Sequence, residues 1–133
     1  MSVDISELEI ELNRLASSVT MPSGSVLFRC GDVVSAVYLV RSGVVNMYLD
    51  SADRIHLLKS LGPGEIAGLP AALTGTYSLS AQVAEDADLG FIPASQVSEL
   101  FERFPHLCLM AARAMSEEIA RMRTGLRESL PLN

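Results

Sequence analysis

The chain has 133 residues, 49% of them hydrophobic, and carries a formal net charge of −6 at pH 7 with a single lysine. A chain of this length suits one domain that buries a core without disulfide or metal staples. Because nucleic acids reward clustered lysine and arginine, the acidic balance argues against DNA or RNA binding by this chain alone. The acidic start argues against a signal peptide, and every apolar run is shorter than the ~18–20 residues that span a bilayer. With two cysteines and no Cys-x-x-Cys pair, we expect a reduced, cytoplasmic protein without membrane contact.

The N-terminal segment, residues 4–20, has the pattern of an amphipathic helix. Asp4 is a good N-cap, and Glu7 three residues later completes a capping-box signal. Apolar residues then recur at helical spacing: Ile5, Leu8, Leu12, Leu15 and Val19. Pro22 ends the predicted helix.

Residues 23–93 consist of short β-prone runs separated by turn residues. The runs are Val26–Arg29, Ala36–Val40, Val44–Leu49, Ile55–Leu58, Leu79–Val83 and Asp88–Ile92. Turn signals such as Ser42-Gly43 and Gly62-Pro63-Gly64 lie between them. Evenly spaced short strands favour a closed barrel or a jelly roll, that is a double-stranded β-helix barrel, over an open sheet. We therefore predict a mainly β fold with flanking helices.

The C-terminal segment, residues 94–130, is predicted to be helical, with a break at Pro105. The long helix that follows has apolar residues at steps of three and four, typical of a coiled-coil seam: Ala112, Met115, Ile119, Met122 and Leu126. This stripe packs either on the chain's own barrel or on a second copy. Because it continues beyond the length that a small barrel needs, we expect a homodimer through this helix.

Several motifs in this order resemble the cyclic nucleotide-binding domains, and in particular the sensor domain of the Crp/Fnr regulators. They are Phe28–Asp32 for the family's Phe-x-x-Gly-Asp turn, Val37–Val45 for its hairpin, Leu61–Glu65 for the Leu-x-x-Gly-Glu turn, Gly64–Ala81 for its phosphate-binding cassette, and Phe104–Leu107 before its long dimerisation helix. The resemblance covers about residues 12–126. It implies one regulatory domain over residues 1–133 with a cupin-like β-roll.

The resemblance also implies where a cyclic nucleotide would bind. In the family, a short helix in the cassette presents backbone amides to the cyclic phosphate. Glu65 stands where the family's glutamate bonds the ribose, and Ser80 stands where a serine meets the phosphate. The ligand positions carried over in this way are Gly64, Glu65, Ile66, Ala67, Leu79, Ser80, Ala81 and, near the base, Arg123 and Thr124.

Leu79 departs from the family, whose cyclic nucleotide binders have an arginine at this position. Hydrogen bonds to charged groups contribute about 1.5–3 kcal/mol each, so losing one or two costs roughly ten- to ten-thousand-fold in affinity. Residues 65–87 contain no lysine or arginine that compensates. Two interpretations of Glu65 therefore stay open: it meets a ligand hydroxyl, or it caps the cassette helix or bonds the neighbouring turn. Likewise Thr74, Thr76 and Tyr77 either recognise a less charged ligand or cover an exposed turn.

The remaining reactive side chains do not form a catalytic or metal-binding pattern. Neither His56 nor His106 is placed at the expected pocket as a haem ligand would be, and their separation in the chain argues against a metal-dependent jelly-roll enzyme. Cys30 and Cys108 are too few for the four-cysteine iron–sulfur relatives, although a redox role of Cys30 stays open. We therefore expect no catalytic residue, no metal and no enzyme activity.

The leading functional hypothesis is a dimeric sensor module in which a ligand in the roll shifts the long helix and so signals to a partner protein. The alternative is a ligand-free scaffold for dimerisation or docking with the same fold. The family's transcription factors have a helix-turn-helix domain after the long helix, whereas this sequence reaches only Asn133. We therefore expect no direct DNA binding. The sequence is either a stand-alone domain, which the initial Met1 favours, or a fragment of a longer regulator.

Overall fold

The computed structural model describes residues 6–51 and 53–116. In chain order the elements are α1 (Ser6–Leu15), β1 (Ser17–Met21), β2 (Val26–Phe28), β3 (Ala36–Ser51), β4 (Arg54–Leu61), β5 (Ile66–Ala67), α2 (Leu69–Thr74), β6 (Ser80–Pro93), α3 (Ala94–Arg103) and α4, a helix over 105–116. The predicted mainly β architecture with flanking helices is confirmed. None of the described helices is long and apolar enough to cross a membrane.

The strands form an open antiparallel sheet in the order β1-β6-β3-β4, with β2 pairing β6 and β5 pairing β3 off this path. The prediction of a closed barrel is therefore wrong for the described residues, because the end strands β1 and β4 pair with β6 and β3 and not with each other. Two long strands, β3 and β6, carry most of the hydrogen-bonded ladder. The interior of the roll is filled by apolar side chains.

β3 runs without interruption from Ala36 to Ser51 through the predicted turn at Ser42-Gly43. Gly43 has φ +85°, and the register against β6 shifts on both sides of it, so this glycine marks an irregularity within a strand rather than a hairpin end. A Cβ at Gly43 would lie 2.4 Å from the carbonyl oxygen of Asp86. The two backbones thus approach so closely that only glycine fits.

β6 is likewise one strand, Ser80–Pro93, where the sequence predicts two runs. Glu85 and Asp86, which lie between those two runs, are part of the strand, and both are exposed. The carboxylate of Asp86 accepts a hydrogen bond from the backbone N–H of Ser23 at 2.8 Å. Local polarity therefore favours a turn here, but pairing with β3 on one side and β1 on the other keeps the strand continuous.

The predicted helix over residues 4–20 is too long, because α1 ends at Leu15 and Ser17–Met21 forms β1. Val19 lies opposite Leu89 of β6 instead of on a helix face. β-branched Val19 and Thr20 favour a strand where a partner is available, and their helical spacing from Leu15 is coincidental. The roll therefore begins before residue 23. The predicted N-cap Asp4 and the apolar Ile5 lie outside the described residues.

The core has two parts on the two sides of β3. The roll core consists of Phe28, Ala36, Tyr38, Val40, Val45, Met47, Leu61, Ala67, Ala71, Tyr77, Ala81, Val83, Ala87 and Leu89. The helix-side core consists of Leu8, Leu12, Val37, Leu39, Leu69, Ile92, Val97, Leu100, Phe101, Leu107 and Ala111. Alternating residues of β3 thus serve both parts, as the two-residue period of a strand requires. As predicted, the helices after β6 are interrupted at Pro105, where α4 begins.

Candidate functional site

The segment Gly64–Ala81, for which the sequence predicts a ligand site, folds as a turn, a short strand, a short helix and the start of β6. Gly64 has φ +91°, and its N–H donates to the Val40 carbonyl at 2.8 Å. Ile66 and Ala67 form β5 opposite Leu39 and Tyr38 of β3. The segment is therefore fixed to the middle of the sheet by backbone hydrogen bonds.

Helix α2 begins after Gly68, which has φ +90° and caps the helix without a side-chain hydrogen bond. A Cβ at Gly68 would lie 3.2 Å from the Tyr77 ring and 3.3 Å from the Phe28 ring. Gly75 closes α2 with φ +100°, and its N–H donates to the Ala71 carbonyl at 2.7 Å. Positive φ at both ends explains why the sequence has glycine at these two positions.

The side chain of Glu65 is exposed and bonds its own turn. Its Oε2 accepts from the backbone N–H of Gly62 at 2.7 Å, and the Glu65 N–H donates to the Gly62 carbonyl at 3.1 Å. This geometry corresponds to one of the interpretations left open by the sequence, the bond to the neighbouring turn. The N-cap of α2 is Gly68, and the Glu65 carboxylate accepts from the Gly62 turn.

Leu79 is half-buried and packs against the roll core, directly before β6. Ala81 is fully buried in the same core and pairs with both Met47 and Phe28. Ala81 and Ala67 thus belong to the roll core, and Leu79 packs against it. Gly64 and Glu65 lie apart from them, at the exposed turn.

Ser80 is half-buried and takes part in a contact with the turn that follows β2. Its Oγ accepts from the backbone N–H of Cys30 at 2.9 Å. Cys30 is exposed, and its Sγ lies 3.4 Å from the Ser78 carbonyl oxygen, to which the thiol donates. These bonds tie the start of β6 to the Phe28–Asp32 turn.

Tyr77 does not cover an exposed turn, which was one of the two interpretations that the sequence left open for it. Its side chain is 3% exposed. The hydroxyl donates to the Ala36 carbonyl at 2.6 Å and accepts from the N–H groups of Ala36 and Ser35 at 3.1 and 3.2 Å. A buried phenol needs such partners. Tyr77 therefore joins the cassette to the start of β3.

Thr74 and Thr76 are exposed, which agrees with one of the two interpretations left open for them, that they cover an exposed turn. The hydroxyl of Thr74 lies 3.2 Å from the carbonyl oxygens of both Pro70 and Thr76. Thr76 forms an isolated bridge with Val33. Both threonines thus stabilise the end of α2 locally.

Burial raises the pKa of the Tyr38 hydroxyl above its ordinary value, and the neighbouring Tyr77 adds to this shift. Both rings belong to the roll core, and Tyr38 lies 6.3 Å from Phe28 between ring centroids. The interior of the roll therefore disfavours a negative charge.

The described residues include only two positions of the predicted dimer seam, Ala112 and Met115. Ala112 and Met115 are half-buried on α4, and Leu109, which the sequence analysis omits, is 53% exposed on the same helix. The remaining predicted seam and base-contact positions lie outside the described residues: Ile119, Met122, Arg123, Thr124 and Leu126.

The histidines and cysteines are dispersed. His56 is exposed on β4, whereas His106 at the start of α4 lies 2.9 Å from a carboxylate oxygen of Glu7 on α1. Cys108 is half-buried against the helix-side core and forms no disulfide with Cys30. Within residues 6–51 and 53–116, no three His, Cys, Asp or Glu side chains come together as a metal site.

The sequence and the fold were compared with those of known proteins. The model of the cyclic nucleotide-binding domain matches residues 18–104. The transcriptional activator protein Anr of Pseudomonas aeruginosa is 35% identical over 100 residues, which are 74% of this chain and 41% of that protein. An anaerobic regulatory protein of Aggregatibacter actinomycetemcomitans is 29% identical over 114 residues, 85% of this chain and 44% of that protein.

The crystal structure of the Thermus thermophilus catabolite activator protein superposes with a TM-score of 0.77 at 26% identity, covering 92% of this chain and 59% of that one. This chain thus spans less than half the length of the curated regulators just described. The family match covers both long strands, the cassette and α3. The chain belongs to the cyclic nucleotide-binding domain family, as a regulatory domain of the Crp/Fnr type.

Proposed function

We propose that this chain is a non-enzymatic regulatory module, dimeric through its C-terminal helix, whose roll works without a bound cyclic nucleotide. The observation that carries this proposal is the packing of Leu79 against the roll core, at the position where the family's nucleotide binders have an arginine. A cyclic phosphate brought there would lose water and gain no charged donor.

The other cassette side chains support the same proposal. The Glu65 carboxylate and the Ser80 hydroxyl already have partners, the N–H groups of Gly62 and Cys30. These bonds fix both side chains to the backbone of the chain itself, and neither side chain carries a positive charge that could replace the arginine as a charged donor to a phosphate. The absence of lysine and arginine from residues 65–87 leaves backbone amides and neutral side chains, such as the Ser80 hydroxyl, as the donors in this segment that could face a phosphate.

The apolar residues of α4 support dimerisation. Leu109 is 53% exposed, while Ala112 and Met115 are half-buried, and the sequence continues this stripe to Leu126. A helix that leaves apolar side chains exposed gains free energy by packing on another copy. The dimer would then transmit a signal to a protein partner. The acidic balance of the chain argues against direct DNA binding, although its relatives include transcriptional activators.

A sensor that binds a ligand through Glu65 is the second candidate. The exposure of Glu65 favours it, because a solvent-facing carboxylate can exchange its bond to Gly62 for a ligand hydroxyl. Thermal denaturation with cyclic AMP, cyclic GMP and cyclic dinucleotides separates the two candidates. A ligand at about 100 times its Kd should raise the free energy of unfolding by about 2.7 kcal/mol, whereas the proposed module shows no shift with any of them.

A further inference from the structure

A cleft of about 380 Å³ lies between α1 and β3. From α1 it is lined by Glu9, Ile10 and Asn13, and from β3 by residues 39–41. Of the residues placed in the cassette, only Gly64 reaches its edge. The cleft is therefore separate from the interior of the roll, and none of the functions discussed above uses it.

Arg41 places a fixed positive charge in this cleft. Its Nη1 donates to the Ser18 hydroxyl at 2.6 Å and its Nη2 donates to the Asn13 side-chain carbonyl at 2.9 Å. Both partners are neutral oxygens, so these bonds orient the guanidinium without neutralising it. A half-buried guanidinium that is already oriented loses little side-chain entropy when it binds a carboxylate.

The backbone of Gly90 completes this arrangement from β6. A Cβ built on Gly90 would lie 3.4 Å from the Arg41 Nη2 and 2.8 Å from the Cβ of Ala16. Since Gly90 has no positive φ, it is space and not backbone conformation that requires glycine here. Residues from α1, β1 and β6 thus hold a single guanidinium.

Ile10 adds an apolar surface to the same cleft. Its side chain is 66% exposed, because it lies two residues, about half a helical turn, from the buried Leu8 and Leu12 of α1. An oriented arginine beside an exposed aliphatic side chain has the chemistry of protein interfaces, where arginine and apolar side chains recur together. The combination fits a polypeptide that offers one carboxylate and one apolar side chain.

We propose that this cleft docks a segment of a partner protein in which a single carboxylate meets Arg41 and an adjacent apolar side chain packs on Ile10. The inference rests on the proposed function, because it supplies the surface on which the module meets its partner. The planar fork of the guanidinium matches a carboxylate in two parallel hydrogen bonds. Glu9 in the same cleft and the net charge of −6 disfavour a run of acidic residues, so the segment carries one charge in apolar surroundings.

Nuclear magnetic resonance titration of the ¹⁵N-labelled full chain tests this proposal with two capped tripeptides, acetyl-Leu-Glu-Leu-amide and its neutral counterpart acetyl-Leu-Gln-Leu-amide. We expect saturable shifts of the Ile10, Asn13 and Arg41 amides with the acidic peptide and at least about tenfold weaker binding of the neutral one. Equal affinity for the two peptides, shifts confined to other residues, or no saturable shift overturns the proposal.

Three variants identify the groups responsible. Arg41→Gln should weaken the acidic peptide at least about tenfold. Arg41 also joins α1 to β1, so Arg41→Gln is compared with a second variant, Ile10→Ser, which changes an exposed side chain. Ile10→Ser should weaken the binding of both peptides several-fold. Glu9→Gln should strengthen binding of the acidic peptide. Leu57→Ser, at a 55% exposed position on β4, is the control and should change nothing.

Unchanged affinity in both Arg41→Gln and Ile10→Ser would exclude this cleft as the docking surface. That result is distinguishable from failure of the proposed function, because the proposed function is tested by measuring nucleotide binding and the mass of the dimer. Neither of those measurements depends on the cleft between α1 and β3.

Discussion

The ring of Tyr77 stacks on the ring of Phe28, with centroids 3.8 Å apart and planes inclined by 6°. Phe28 belongs to β2 and Tyr77 to the turn before β6, so this stack joins a strand and a turn that are far apart in the sequence. Together with the bonds of the Tyr77 hydroxyl to Ala36, it makes the cassette part of the core. The cassette therefore contributes to the packing of the fold through Tyr77.

Tyr77→Phe should keep the stack and lose the hydroxyl. The Ala36 carbonyl and the two N–H groups would then be left in a buried site without this partner, at a cost of about 1–3 kcal/mol in the free energy of unfolding. Urea denaturation measures the difference. Tyr48→Phe is the matched control, because the Tyr48 hydroxyl is half-buried and its bond from Asn46 is 3.3 Å long. Equal stability losses in the two variants would contradict the assigned role of Tyr77.

Gly43→Ala should be severely destabilising, because it combines a left-handed φ of +85° with a Cβ 2.4 Å from the Asp86 carbonyl oxygen. The expected loss is about 3 kcal/mol or more. Gly31→Ala is the control: its φ is +94° but no atom lies within 4 Å of the added Cβ, so only conformational strain of about 1–2 kcal/mol is expected. Similar melting temperatures for both variants would show that β3 and β6 can separate at this point without cost.

Alkaline pH should destabilise the fold through Tyr38. Burial favours the neutral phenol and raises its pKa in the folded state above that in the unfolded state. The stabilisation is therefore fully present below the unfolded pKa of about 10 and is lost as the pH rises through the folded pKa. Unfolding free energies between pH 9 and 11 should fall more steeply for the wild type than for Tyr38→Phe. Parallel curves for the two proteins would remove Tyr38 as the cause.

Met115→Asp should yield a monomer, because it puts a charge on the apolar stripe of α4 that we propose to be the dimer seam. Light scattering at several protein concentrations measures the mass. Arg113→Ala, at an exposed position of the same helix, should leave the dimer intact. Ile119→Asp, outside the described residues, should act like Met115→Asp. A dimer that persists in both aspartate variants would show that the copies meet elsewhere.

Leu79→Arg should create affinity for cyclic nucleotides if the interior of the roll can admit them. The new guanidinium would supply one or two charged hydrogen bonds, a gain of at least about tenfold. Leu79→Met, which conserves size and lacks charge, is the control and should not bind. If Leu79→Arg folds and binds no better than Leu79→Met, then the packed side chains of the roll core exclude the ligand independently of residue 79.

Local signals in the sequence identified some parts of the fold and misassigned others. The glycines around the cassette and the break at Pro105 follow from backbone conformation, which a short segment specifies by itself. The continuity of β3 through Gly43 depends on its partner β6, more than 40 residues away, so a local turn signal is misleading there. The same holds for Val19, whose helical spacing is overridden by pairing with Leu89.

The site shows the same limit. Leu79 was recognisable from the sequence because the motif around it resembles a known cassette. The burial of Tyr77 was not, since its partners are Phe28 and the backbone of Ala36, both remote in the chain. The orientation of Arg41 also depends on three separate elements, and no spacing within the sequence indicates it.

The most direct test of the central proposal is calorimetric titration of the wild-type protein with cyclic AMP and cyclic GMP, after refolding from denaturant to remove any carried ligand. We expect no saturable heat up to about 1 mM nucleotide, that is, a binding free energy weaker than about −4 kcal/mol. One-site binding of either nucleotide at micromolar Kd, near −8 kcal/mol, would contradict it. That result would mean that backbone amides, Glu65 and Ser80 bind the ligand without an arginine, and that the module is a nucleotide sensor.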